Sequence, residues 1–252
     1  MHTTQTLTLG NESHIAYKQL NFGSKVSVVF LGGFMSNMNS TKASAVFDYC
    51  AKHNLNCTIF DYFGNGDSSG RFEDYAISDW KQNCCQVIES LVAPSTPIVL
   101  VGSSMGGWLA FLVAMHFPTR VKGVVGIAAA PDFTESIELS EQHRETLAST
   151  GSVENCKGER VYTITQRLLL DGKNHLLLKG EIPVECPITL IHGMDDVVVP
   201  FRDSIALAEN VVSTDVNIHL IKSGDHHLCE QPILDGILEK MHCMVRKVES
   251  TL

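Results

Sequence analysis

The chain has 252 residues, 44% of them hydrophobic, and a formal net charge of −9 with lysines and arginines scattered singly; that is enough material to bury one substantial core. Without a basic run it is a poor match for nucleic acid or an anionic membrane surface, and no stretch reaches the ~20 apolar residues of a membrane span. Its eight cysteines lie at 50, 57, 84, 85, 156, 186, 229 and 243 with no CxxC spacing, which predicts free, mostly buried thiols in a reducing compartment rather than a disulfide framework or a zinc site.

Met1 to Leu7 carries neither a basic flank nor an apolar core, so it does not read as a signal peptide, and a soluble cytoplasmic chain is expected. His14 to Leu20 alternates weakly and reads as an edge strand, followed by a turn at Asn21-Phe22-Gly23-Ser24. Val26 to Leu31 is the first fully apolar strand and runs into Gly32-Gly33-Phe34-Met35. By itself that loop is either a plain glycine turn or, after a central strand, the place from which a backbone N–H reaches a reacting oxygen. Asn39-Ser40-Thr41 opens a helix with Ala43, Val46, Phe47 and Cys50 on one face. Cys57 to Phe60 is a strand ending in Asp61-Tyr62-Phe63-Gly64-Asn65-Gly66-Asp67-Ser68-Ser69-Gly70. This irregular loop lacks the lysine of a P-loop and any directly following helix, and is expected to border a cleft. Ser78-Asp79-Trp80 starts a helix with Val87, Ile88 and Leu91 inward, closed by Pro94.

The apolar run Ile98 to Val101 then meets Gly102-Ser103-Ser104-Met105-Gly106-Gly107, a GxSxG pattern, and passes into an amphipathic segment from Trp108 to Phe117 stopped by Pro118. The motif alone is equally a tight turn with a solvated hydroxyl. Between a strand and a helix it predicts a nucleophile elbow, with Ser104 thrust above the sheet edge and the Met105 N–H at the positive end of the helix. Val121 to Ala130 is a further strand. Between Phe133 and Pro183 charge density rises, Gly151-Ser152 and Lys157-Gly158 break any long helix, and leucine triplets occur at 168–170 and 176–178. A connection this long should carry its own structure. It is either a lid, approximately residues 133–183, or a surface helix docked by its leucines. Pro187 to Ile191 and Asn217 to Ile221 are the last strands, and Glu230 to Val248 is a closing helix with Ile233, Leu234, Ile237, Leu238, Met241 and Val245 at helical spacing. Repeated strand, loop and helix units predict a mostly parallel, doubly wound α/β sheet with helices on both faces in a single domain spanning 1–252.

A serine hydroxyl is a weak nucleophile without a base, and the base needs an orienting carboxylate. Both candidates follow strands: Asp196 in His192-Gly193-Met194-Asp195-Asp196, and His226 in Ser223-Gly224-Asp225-His226-His227. Asp195 is expected to be a solvated loop carboxylate, His192 a hydrogen-bonded core histidine, His53 and His116 surface or capping groups, and His226 is preferred to His227. The order Ser, Asp, His is that of the α/β-hydrolase fold.

The elbow through Trp108, the loop Gly33-Phe34-Met35-Ser36-Asn37-Met38-Asn39 with Thr41-Lys42-Ala43, Phe60-Asp61-Tyr62 with Gly64 and Gly66, His192-Gly193-Met194 with Asp196, Cys186-Pro187-Ile188 and Ser213-Thr214-Asp215-Val216 together resemble one family. It is the α/β-hydrolase family of mitochondrial palmitoyl-protein thioesterases, known also as mycophenolic acid acyl-glucuronide esterases, and their bacterial relatives. The resemblance implies an esterase or thioesterase acting through Ser104, Asp196 and His226. The oxyanion hole is assigned to the N–H groups of Phe34 and Met105, with no cofactor and no metal. Departures concentrate in the lid, and the absence of a presequence suggests a bacterial cytoplasmic member. The expected partner is a small-molecule or acylated-protein substrate, without nucleic acid or stable membrane insertion. The alternative is a catalytically idle scaffold or small-molecule receptor on the same fold.

Overall fold

A computed structural model describes residues 3–157 and 160–252. In chain order it contains β1 (Gln5–Thr8), β2 (His14–Leu20), β3 (Ser27–Leu31), α1 (Thr41–Lys52), β4 (Asn56–Phe60), α2 (Ile77–Leu91), β5 (Ile98–Ser103), α3 (Met105–His116) and β6 (Val121–Ile127). These are followed by α4 (Glu141–Thr150), β7 (Ser152–Lys157), β8 (Arg160–Thr165), α5 (Gln166–Gly172), β9 (Ile188–Gly193), α6 (Arg202–Asn210), β10 (Val216–Ile221) and α7 (Gln231–Glu249). One sheet runs in the order β1-β2-β4-β3-β5-β6-β9-β10, and β7 with β8 forms a separate hairpin. β1 and β2 pair antiparallel, as do β2 and β4, while every other pairing in the large sheet is parallel.

The central strands are buried on both faces, so their sequences are continuous β-branched runs rather than alternations. Period two still sorts them. Ile98 and Leu100 of β5 face a core built with α2 and α3, whereas Val99 and Val101 face the one built with α1 and α7. Chain order reverses between β3 and β5, the place where open α/β sheets leave a crevice beyond their carboxyl ends.

Four local expectations need correction. His14–Leu20 is not the edge, because Gln5–Thr8 pairs outside it. The strand from Val121 stops at Ile127, where Ala128 turns to φ 45° and the Ala130 N–H bonds back to the Ser104 carbonyl at 3.0 Å. α3 is not amphipathic: every residue from Met105 to Ala114 is buried. The sheet covers one side, while α2 and the segment between β6 and β9 cover the other, and Trp108 Nε1 donates to the His175 carbonyl at 2.9 Å. Only a helix apolar all round suits such a position. The loop Asp61–Gly70 does not line the cavity at Ser104. Its buried Asp61 instead accepts the amides of Met38 at 2.6 Å and Asp67 at 2.9 Å, pinning the loop after β3 from behind.

Every described cysteine whose side chain can be assessed is free, the vicinal Cys84 and Cys85 included. Among the described residues no helix is long and apolar enough to cross a membrane.

Candidate active site

Ser104 sits between β5 and α3 at φ 55° and ψ −120°, a region that side-chain-bearing residues avoid. Backbone packing imposes it. A Cβ on Gly102 would lie 2.1 Å from the Gly106 carbonyl oxygen, and one on Gly106 would lie 2.0 Å from that of Leu31. Strand end, helix start and the neighbouring strand β3 therefore touch backbone to backbone. The Ser104 amide bonds to the Ile127 carbonyl at 2.9 Å, which fixes the turn to β6 as well.

Two further loops meet the hydroxyl from the far side. A Cβ on Gly193, ending β9, would lie 2.1 Å from the Gly224 carbonyl oxygen, in the loop after β10. This close approach brings Asp196 and His226 together although they lie 30 residues apart. His226 Nδ1 is 2.7 Å from Asp196 Oδ2, and its Nε2 is 3.0 Å from Ser104 Oγ. A carboxylate only accepts, so the proton of a neutral His226 belongs on Nδ1; Nε2 is then the free lone pair that receives the Ser104 hydroxyl. His227 is exposed, with its ring 6.1 Å from that of His226. Asp195 is exposed on its loop.

Asp196 is saturated. Oδ1 accepts the amides of Val198 and Val199, each at 2.8 Å, and Oδ2 accepts from His226 and, at 3.2 Å, from His192. Burial pushes this carboxyl up, but the hydrogen bonds from His192, His226 and the Val199 amide outweigh it and hold it well below the usual carboxylate range. His192 is fully buried, and its Nε2 also faces the Val199 carbonyl at 3.1 Å while Nδ1 is 2.7 Å from Ser204 Oγ. Two acceptors at Nε2 require a proton there, so a neutral His192 takes the Ser204 hydroxyl at Nδ1. The core-histidine expectation is thus joined by something the motif did not disclose: His192 is a second donor to the same carboxylate.

A cavity of about 400 Å³ opens at Ser104, lined by Phe34, Met105, Phe133, Ile137, Tyr162, Ile164 and Val199 among others. Gly33 abuts Ser104, since a Cβ there would lie 3.4 Å from the serine Cβ, and this places Phe34 beside the hydroxyl. The Phe34 ring is ringed by Phe72, Trp80, Phe133 and Tyr162 at centroid distances from 5.0 to 6.2 Å. A second cavity of about 170 Å³ touches Ser104 and His226 from the other side, with Ser36, Ser40, Thr41, Lys42, His227 and Cys229 in its wall.

The segment between β6 and β9 divides in two. Residues from Phe133 to Ile164 contribute to the larger cavity, while Leu168 and Leu177 are buried in the core with Trp108. Cavity lining and docked leucines thus belong to different parts of the segment. Ser78, Asp171 and His175 form another serine, aspartate and histidine grouping: Ser78 Oγ is 2.6 Å from Asp171 Oδ1 and 2.7 Å from His175 Nε2. Here the acid and the imidazole both address the hydroxyl rather than lining up behind it. Asp171 also takes the Ser78 amide at 2.7 Å at the start of α2 and lines neither cavity, so the grouping ties the inserted segment down. Sequence reasoning missed α6, which carries Ser204 to His192 and Asp203 into the cavity wall. The available signal was Pro200 just ahead of an acidic first turn, with Ile205 and Ala208 spaced three apart.

Comparison with known proteins places the chain by family and fold. A family model described as alpha/beta hydrolase fold matches residues 26–153. The bovine mitochondrial palmitoyl-protein thioesterase ABHD10 is 34% identical over 92% of this chain and 79% of its own length. Among solved structures, mouse alpha/beta hydrolase domain-containing protein 10 superposes with a TM-score of 0.89 at 30% identity, covering 98% of this chain and 99% of its own. A putative hydrolase from Agrobacterium vitis S4 matches with a TM-score of 0.89 at 31% identity, covering 97% and 98%.

Proposed function

Since this chain belongs to the α/β-hydrolase family, we propose that it is a serine hydrolase that cleaves a carboxylic ester or thioester through an acyl-enzyme on Ser104. The observation that carries the reading is the unbroken line from Ser104 Oγ to His226 to Asp196, at 3.0 and 2.7 Å. Ser104 Oγ attacks the carbonyl carbon while His226 Nε2 takes the hydroxyl proton. Asp196 holds the ring in the required tautomer and stabilises the imidazolium that forms. The negative oxygen of the tetrahedral intermediate lies between the N–H groups of Phe34 and Met105, aided by the positive end of α3. His226 then gives its proton to the departing alcohol or thiol. Water enters, His226 removes its proton, and the acid leaves as Ser104 is reprotonated.

In this reading the cavity under Phe133, Ile137 and Tyr162 takes the acyl group, and within the 133–183 insertion the part from Phe133 to Ile164 acts as the lid that shapes it and excludes water. The bovine relative is named as a palmitoyl-protein thioesterase, which supports acylated proteins and small acyl esters as substrate classes. The unpaired buried thiols favour a reducing compartment such as the cytoplasm.

The test is hydrolysis of p-nitrophenyl esters and matched thioesters by the parent and by Ser104→Ala, with fluorophosphonate labelling of both. The expected result is a rate loss on the order of 10⁴-fold or more and loss of the label in the variant. A protein that neither turns over any ester nor takes the label is an idle scaffold, and hydrolysis that survives Ser104→Ala refutes the assignment.

A further inference from the structure

The cavity assigned to the acyl group contains a charge that the chemistry at Ser104 does not use. Asp203, in the first turn of α6, lines that cavity. Among the described residues its carboxylate makes no hydrogen bond and no ion pair, and the residue is only partly exposed. Buried carboxylates elsewhere in this fold are matched: Asp61 takes two amides, Asp132 takes the amides of Leu177 and Leu178, and Asp196 has four donors. Asp203 takes none among the described side chains and lies on the cavity wall. Glu138 lines the same cavity.

Electrostatics gives this arrangement a direction. Burial pushes the Asp203 carboxyl up; the nearby His192 opposes that, and the charges of Asp132 and Asp196 add to it. A ligand bringing a further negative charge must enter against the charges of Asp203 and Glu138 on the cavity wall. One bringing an ammonium or a hydroxyl supplies the donor the carboxylate lacks.

Building on the reading of Ser104 as nucleophile, we propose that Asp203, with Glu138 in the same cavity lining, is a specificity-determining residue of the acyl pocket. It selects acyl groups that carry an ammonium or other hydrogen-bond donor and rejects acyl groups that carry a carboxylate. The substrate class that follows is an ester or thioester of an amino or hydroxy acid, in preference to a half-ester of a dicarboxylic acid.

Three p-nitrophenyl esters of nearly equal length test this with a constant leaving group: hexanoate, 6-aminohexanoate and the adipate half-ester. In the parent, kcat/KM for the amino ester is expected to exceed that for the adipate half-ester by about 100-fold, each normalised to hexanoate in the same protein, as for a charge within a few ångströms at intermediate dielectric. In Asp203→Asn the ratio is expected to fall to within about fivefold of unity, and in Glu138→Gln to an intermediate value. A parent ratio near unity, or a ratio that Asp203→Asn leaves intact, overturns the proposal. Because each ratio is internal to one protein, loss of folded enzyme in Asp203→Asn does not alter it, and Glu138→Gln provides a second reading. If hexanoate turnover survives Ser104→Ala, the serine mechanism fails instead, which is a separate result.

Discussion

The backbone at Ser104 makes a prediction that separates strain from chemistry. At φ 55° and ψ −120° a residue with a Cβ pays about 1–3 kcal/mol that glycine does not. Ser104→Ala keeps the Cβ and therefore the strain, and gives up the hydrogen bond to His226. Ser104→Gly gives up the same bond but relieves the strain; against this, glycine gains unfolded-state freedom worth about 0.4–1 kcal/mol. The net expectation is that the glycine variant is more stable than the alanine variant by about 1 kcal/mol, or about 2–4 °C in melting temperature for a chain of this size. Both lack the hydroxyl, so urea titration and thermal melts of the two compare stability alone. A glycine variant equal to or less stable than the alanine variant would show that the elbow stores no strain.

Three further outcomes follow from the site. Asp196 titrates far below its unfolded value of about 3.9 when folded, so it stabilises the protein at neutral pH and that contribution drains away as pH falls below about 5; Asp196→Asn should flatten this part of the stability profile and cost about 10⁴-fold in kcat, and an unchanged slope of urea midpoint against pH refutes it. Gly106→Ala places a Cβ 2.0 Å from the Leu31 carbonyl oxygen, so either β3 or α3 must shift at a cost of about 3 kcal/mol or more. Activity should fall with stability, and a variant that melts like the parent contradicts the packing. His192→Leu strips one donor from Asp196 and leaves the fully buried Ser204 hydroxyl without its partner; kcat is expected to drop about tenfold with KM little changed, and a loss confined to KM argues against a role through the carboxylate.

The parts of this architecture that are legible in sequence are those where one local rule decides. Short, β-branched apolar runs such as Val28 to Leu31 and Ile98 to Val101 read as strands buried on both sides. Glycines pressed against backbone mark the elbow and the two loops that bring Asp196 to His226. What escapes depends on neighbours distant in the chain. Gln5–Thr8 is too polar and short to announce itself, and becomes a strand because β2 offers it a free edge. The β7 and β8 hairpin alternates weakly around polar residues and is visible in sequence only as an interruption. α6 is nine residues with few apolar side chains, held by Leu207 in the core. Its omission hides two side chains, Asp203 on the cavity wall and Ser204, which meets the His192 that donates to Asp196. The loop Asp61–Gly70 misleads because its glycines report a tight path, not the direction the path faces.

The backbone seam between Gly193 and Gly224 has a mechanical corollary. Because the two loops touch with no side chain between them, the carboxylate and the imidazole are carried on one seam, and the Met194 amide after β9 adds a bond to the Ile221 carbonyl at the end of β10 at 2.8 Å. The hydroxyl rides on the elbow, between β5 and α3. Any shift of the seam relative to the elbow would lengthen the 3.0 Å span from Ser104 to His226 before the 2.7 Å one behind it.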